Sequence, residues 1–358
     1  CIEGIPTGRD VEWEPLLVYR RNGVSETTIH GAVSWAHGDE VVHSFGGNVL
    51  CYGRSMMKPF MLKPFTGVLA DTTTWEQKAI AVASHNGDTE HIAAAQSLLS
   101  EAEWPLMMTP LDVPLIQFGR QVRRPRRWYH TCSGEHAAIL KGCRLLGHNR
   151  AGYTLPSHET FAGFLAALRS TLGEDWQPIR VGKDGCGLPT VSNTVNELAR
   201  LYAGLVREKD DDWIWQAMVE HPDLVGGFNR LDSTILKAGD GKVIAKEGAD
   251  GLLGIAIEHP DYPKGLGIVI KIAHGWNGQA TWYLARAILG TLGIELRNPY
   301  PLVWQKAFIV SGIVPPQLLE VLETIPTWDE WDPDQDRWQY DWSTYTDVHT
   351  PRVPPEED

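Results

Sequence analysis

The sequence predicts an α+β fold: an antiparallel sheet flanked by helices, with a helical subdomain between the two halves of the sheet. Three observations predict it. Strand-like alternation occupies residues 16–45, helical periodicity fills the middle of the chain, and strand-like runs return over residues 243–272. The chain's 358 residues are enough to bury a full core.

The elements follow in order. Residues 16–25 and 29–45 alternate apolar and polar side chains with β-branched content, and Asn22-Gly23 supplies a hairpin turn. Residues 55–70, 74–83, 90–103 and 135–146 read as helices. In the third, Ile92, Ala95 and Leu99 form one stripe behind Asp88 and Glu90, acids that suit a helix start. Residues 161–172, 191–206 and 213–219 extend the helical region. Gly239-Asp240-Gly241-Lys242 is a turn, after which residues 243–246, 252–258 and 266–272 read as strands. Residues 281–292 close with a helix, and no repeat of 20–50 residues is visible.

Composition narrows the class of function. Lys+Arg 32 against Asp+Glu 45 gives a net charge of −13, which argues against nucleic acid or an anionic membrane surface as partner. No apolar run approaches the ~18 residues of a membrane span, and the first residues do not resemble a signal peptide. Five cysteines are too sparse for a disulfide scaffold, so a soluble cytoplasmic enzyme is expected. The acidity is concentrated at one end. Residues 327–358 hold ten acids against Arg337 and Arg352, together with Trp328, Trp331, Trp338, Tyr340, Trp342 and Tyr345. A solvated acidic tail would not carry those aromatics, so the segment reads as an extension docked on the body or on a second subunit. The expected organisation is an N-terminal extension (1–15), a catalytic domain (16–326) and the acidic Trp-rich extension (327–358), assembled as a homodimer.

Three motifs carry the chemistry. Ser55-Met56-Met57-Lys58 is an S-x-x-K, and on a helix positions i and i+3 share a face, so the amine can reach the hydroxyl. A serine needs an adjacent base to be a nucleophile, and an apolar setting can tune a lysine for that task. Ser84-His85-Asn86 is an S-x-N, and Lys246-Glu247-Gly248 a K-x-G following the strand Val243-Ile244-Ala245. Serine acyl enzymes of the penicillin-recognising kind use such motifs in this order. A second constellation joins Cys132 and Glu135, at a helix start, to the glycine-rich loop Asp184-Gly185-Cys186-Gly187. With His130 and His136 in the same segment, two thiols, a carboxylate and two histidines could hold zinc, or the site can be two buried free thiols beside a capped helix. Cys51 and Cys143 sit in apolar contexts and read as core.

The segments RSMMKPF, ASHNGDTEH, HTCSGEHAAIL, DGCGLPT, HPDLVGGFNRLDST and AKEGADGLLGIAI, in that order, resemble the asparaginase II family, the thermolabile rhizobial type of L-asparaginase. The resemblance implies a serine β-lactamase/penicillin-binding-protein-like fold and hydrolysis of a small-molecule amide. By position, Ser55 is similar to the family's nucleophile and Lys58 to its paired lysine. Ser84 is similar to the second catalytic serine, and Lys246 to the later lysine. Asp184 matches an active-site aspartate of the family; Asn86, His136, Asp184 and Arg230 are the candidate substrate-binding residues, Arg230 because a guanidinium can grip a substrate carboxylate. Cys132 and Cys186 match two zinc ligands, and no organic cofactor is implied.

Two departures stand out. The family pattern reads Cys-Ser-Gly-Lys-His, its lysine helping to hold the metal, whereas here the residue is Glu135. An acidic Asp-Gly-Asp of the family is replaced by the stretch from His274 to Ala280. The resulting expectation is an asparaginase-like amidohydrolase whose substrate need not be free asparagine. The alternatives are a biosynthetic relative acting on a larger or modified amide, by hydrolysis or acyl transfer, and a catalytically silent binding protein.

Overall fold

The two strand-rich ends of the chain meet in one sheet. The computed structural model describes residues 11–21, 24–111, 126–275, 277–299, 306–310 and 313. Its strands are β1 (Glu14–Arg21), β2 (Val24–His37), β3 (Glu40–Phe45), β4 (Leu50–Tyr52), β5 (Val181–Lys183), β6 (Pro189–Thr194), β7 (Val243–Gly248), β8 (Leu252–His259), β9 (Tyr262–Ile272) and β10 (Lys306–Ile309). The main sheet runs β10-β1-β2-β9-β8-β7, with β3 also paired to β2, and β4-β6-β5 form a second, small sheet. All pairs are antiparallel. The β2–β9 ladder, from Gly31↔Ile272 to His37↔Leu266, joins the ends. The predicted antiparallel α+β architecture is therefore present.

The helices are α1 (Lys58–Leu62), α2 (Thr66–Ala70), α3 (Trp75–Ala81), α4 (Thr89–Gln96), α5 (Ser133–Leu146), α6 (Glu159–Leu172), α7 (Val195–Arg207), α8 (Ile214–Glu220), α9 (Pro222–Val225), α10 (Leu231–Ala238) and α11 (Gly278–Thr291). Alternation along the strands divides the core in two. Val33, Trp35, Ile255, Ile268 and Ile270 pack with Leu284 and Ile288 of α11. Ala32, Ala36, Ala256 and Val269 face the other way, into the cluster that holds α7 and the helical subdomain. Small side chains on that second face let α7 lie against the strands. At Gly267 an added Cβ would fall 2.0 Å from the Ala199 carbonyl oxygen and 2.3 Å from the Ala203 nitrogen. Among the described residues no helix is long and apolar enough to cross a membrane.

Several elements differ from expectation, each for a local reason. The single helix expected over residues 55–70 is four short pieces: a 3-10 turn at Arg54–Met57, α1, a 3-10 turn at Lys63–Phe65, and α2. Pro59 and Pro64 each sit at the start of a new piece and cannot continue the preceding one. The helix expected over 191–206 starts only at Val195. Thr194 and Glu197 form a capping box, and the residues before them pair as β6. The helix expected over 90–103 ends at Gln96, and Ser100 with Glu103 caps a separate 3-10 segment. Short elements β4, β5, β10, α9 and α10 were not anticipated. The Asn22-Gly23 turn, residues 1–10 and the extension at 327–358 lie outside the described residues.

The close approach of α7 yields a paired test. Gly267→Ala forces the new methyl into backbone atoms and should destabilise by at least ~1–3 kcal/mol. Gly290, in α11, has nothing within 4 Å of an added Cβ, so Gly290→Ala should stabilise by about 0.4–1 kcal/mol. Chemical denaturation of both variants checks the signs, and equal effects would contradict this packing.

Candidate active site

The site is assembled where the small sheet, the helical subdomain and the edge strand β7 converge. The ladder of β4 on β6 delivers the chain into the turn Gly53–Ser55, and Arg54 adopts φ +51, a conformation a non-glycine residue rarely takes. Its guanidinium is held by Asp184 at 2.8 Å through Nε and by Asp250 through Nη1. Ser55 follows at once. It lines a small cavity with Lys58, Glu135, Asp184, Cys186 and Thr190.

Lys58 is 2% exposed. Its Nζ donates to the carbonyl of Ala83, the residue before Ser84, and lies 3.6 Å from Glu135 Oε2. Burial alone would lower the ammonium pKa, but Cys132, Glu135 and Cys186 outweigh it and raise the pKa above its ordinary value. Glu135 lies in the first turn of α5, and burial pushes its carboxyl up to about 8 despite Lys58. Gly134 beside it lets α5 press on α3, since a Cβ there would sit 2.1 Å from the Ile80 carbonyl oxygen.

Ser84 follows α3 and is pinned at both ends: its N–H donates to the Val225 carbonyl at 2.8 Å, and its own carbonyl accepts from Arg230 Nη1 at 2.6 Å. Its Oγ is buried and has no partner among the described residues. Asn86 Nδ2 donates to the Phe228 carbonyl at 2.9 Å, while Oδ1 is buried and unpaired. His136 contacts the Tyr153 hydroxyl through Nδ1 at 2.7 Å, leaves Nε2 buried without a partner, and is pushed by burial down to about 3.

The later lysine anchors a buried charge network. Lys246 and Asp232 are both 0% exposed, with Nζ 2.7 Å from Oδ2. Arg230, expected as an anchor for a substrate carboxylate, carries carboxylates of the chain itself: its Nε is 2.9 Å from Glu247 and its Nη2 is 4.0 Å from Asp232. Burial, with Arg230 and Lys58 in range, lowers the Lys246 pKa. Burial would raise Asp232, but Lys246 and Arg230 overcome it and hold the carboxyl well below the usual range.

Cys132, the N-cap of α5, meets Cys186 of the glycine-rich loop. Their sulfurs and a Glu135 oxygen all lie within 4.8 Å of one another, and all three residues are buried. The thiol of Cys186 donates towards Cys132, which with Lys58 nearby favours the thiolate at Cys132 and raises Cys186. Two sulfurs and a carboxylate are a donor set that fits zinc. In the stretch that replaces the acidic triplet, Asn277 Oδ1 accepts from the Ala280 N–H at 3.0 Å and so caps α11.

The structure brings Ser55, Lys58, Glu135, Asp184 and Cys186 to one cavity, with Cys132 beside them. Sequence reasoning missed the partners: Asp232, Glu247, Arg54, Asp250, and the His85 ring whose Nε2 lies 2.8 Å from Ser133 Oγ. Asp232 and Glu247 lie inside quoted segments, yet no spacing marks a residue whose partner is far away in the chain.

The buried ion pair gives a test. Because the folded pKa of Asp232 is depressed, its contribution is full above the unfolded value of ~4 and is lost as pH falls below it. Asp232→Asn strands Lys246 without a counter-charge and should cost about 3–5 kcal/mol at neutral pH. Its stability should then fall less steeply than the wild type's below about pH 4. Calorimetric Tm against pH would detect both effects, and parallel curves would rule out this role.

No curated protein matches the chain. The family model for L-asparaginase II, however, matches residues 17–305, which take in all the site residues above. That family points to an amidohydrolase and to a small-molecule amide as substrate. A match over most of the chain, with the site assembled inside it, places the protein: it belongs to the L-asparaginase II family.

Proposed function

We propose that the protein hydrolyses a carboxamide through a serine acyl-enzyme on a serine β-lactamase-like scaffold. The observation that carries this reading is Lys58: it is buried in the cavity wall that holds Ser55, and it is bonded to the carbonyl just before Ser84. One amine thereby joins the elements that bear both serines. Ser55 Oγ attacks the amide carbon and its proton passes to Lys58 as general base. Ser84, whose hydroxyl has no partner among the described residues, relays a proton to the departing ammonia. A base must be neutral, and the anions around Lys58 favour its ammonium. Lys246, paired as an ammonium with Asp232 and within electrostatic range of Lys58, opposes that second positive charge and so favours the neutral amine. Water then releases the acid and restores Ser55.

Cys132, Glu135 and Cys186 would hold a zinc ion, which when bound would act as a Lewis acid on a polar atom of the substrate. With Glu135 in place of lysine, the protein side of that centre carries more negative charge, which disfavours an anionic group beside it. The reading is thus an amidohydrolase tuned to an amide whose nearby substituent is neutral or cationic, rather than to free asparagine. The Trp-rich extension at 327–358 favours a second reading within the family, a larger or modified amide.

Three experiments decide. Ser55→Ala should abolish ammonia release from primary amides while leaving Tm unchanged, and Lys58→Ala should lower kcat/KM by about 10²–10⁴-fold. Substantial turnover by either variant would defeat the acyl-enzyme mechanism. For the metal, elemental analysis after purification without chelator should find zinc in the wild type and little in Cys186→Ser. Glu135→Lys should shift preference towards amides that carry a carboxylate; if it leaves their KM unchanged, the charge argument fails.

A further inference from the structure

Four buried polar side-chain atoms in or beside the site have no partner among the described residues: Ser84 Oγ, Asn86 Oδ1, His136 Nε2 and Thr190 Oγ1. The first three belong to residues already given a role. Thr190 has none, although it lines the cavity that contains Ser55 and is only 5% exposed. A buried hydroxyl without a partner lowers stability, and native structures hold few of them. Such a group in the wall of a reaction cavity fits a partner that arrives with the ligand.

The strand register says where that partner would be. β4 and β6 pair as Leu50↔Thr194, Cys51↔Asn193 and Tyr52↔Ser192, and the Gly53 N–H continues the ladder to the Val191 carbonyl at 3.4 Å. Thr190 is the next residue of β6; it pairs with Gly182 of β5 and shares the cavity wall with Arg54 and Ser55. The wall that it shares is mixed, with Leu188, Pro189 and Phe164 as apolar members and Ser55, Lys58 and Glu135 as polar ones, and unlike Lys58 the Thr190 hydroxyl has no partner among the described residues. The leaving group of a primary amide is ammonia and carries no substituent. A second polar group can therefore belong only to the acyl chain.

Resting on the amidohydrolase reading, we propose that Thr190 is a specificity-determining residue: its hydroxyl hydrogen-bonds an N–H or O–H group on the substrate's acyl chain, close to the scissile carboxamide. A hydroxyl is uncharged and both accepts and donates, so it selects a polar substituent without requiring a charge. A site built to bond such a group discriminates against the alkyl isostere, because the buried hydroxyl is then left unpaired.

The test needs no turnover. In a Ser55→Ala background, ligand-observed NMR titration compares glycolamide with propionamide and 3-hydroxypropionamide with butyramide. In at least one pair the hydroxyamide should bind about tenfold more tightly than its isostere, a difference of about 1.4 kcal/mol. Thr190→Val should erase that preference and Thr190→Ser should retain it. Thr190→Val should also keep or raise Tm, since valine fills the same space without an unpaired hydroxyl. No preference in the parent, a preference that survives Thr190→Val, or a clear fall in Tm would each overturn the proposal. Ammonia release by the wild-type protein is read separately. Binding without hydrolysis would refute the amidohydrolase reading and leave the role of Thr190 standing.

Discussion

An ammonium placed beyond the reach of water must be satisfied by the protein, and Lys58 makes that demand on the whole site. Its partners come from separate elements. The Ala83 carbonyl follows α3, Glu135 opens α5, and Cys132 caps α5. None of these is near Lys58 in sequence, so satisfying one cation fixes the relative position of α1, α3 and α5. The carbonyl it uses belongs to the residue before Ser84. The second serine is thus placed by the desolvation of the first serine's partner.

A second constraint acts on Ser55 from the other side. A non-glycine residue at positive φ costs of order 1–3 kcal/mol unless its surroundings hold it. Arg54 is held there by Asp184 and Asp250, and Asp250 is itself at φ +65. The Asp250 carbonyl in turn accepts from buried Lys271. Because Asp184 starts the loop that bears Cys186, its bond to Arg54 ties the strained turn before Ser55 to the candidate metal loop. A substitution that frees Arg54 would therefore disturb both.

What the sequence revealed, and what it concealed, follows from range. The strands of the main sheet other than β10, and helices such as α5 and α6, were legible because each has its own period, and the S-x-x-K, S-x-N and K-x-G motifs because their members are neighbours. The piecewise structure of residues 54–70 was legible in principle, since Pro59 and Pro64 mark the breaks, but the apolar pattern outweighed them. β6 was masked by the capping box that follows it. Arg230 illustrates the deeper limit. A guanidinium near an active site reads as an anchor for a ligand until Glu247 and the Ser84 carbonyl are seen to occupy it. Which polar groups are already satisfied is a property of the folded arrangement, and so Thr190 Oγ1 could not be recognised as unpaired from the sequence.

The same reasoning bears on Glu135. A glutamate beside two thiols makes the local charge depend on the proton of that carboxyl, which burial pushes up to about 8, and a buried site cannot absorb the charge by screening. In this chain Lys58 supplies the compensating charge at 3.6 Å. The lysine that would serve as general base is therefore also the counter-ion of Glu135. Any change that neutralises Glu135, whether by a proton, a metal or mutation, alters the proton affinity of Lys58 with it. On the amidohydrolase reading, substrate charge and the readiness of Ser55 would then be linked through this one buried pair.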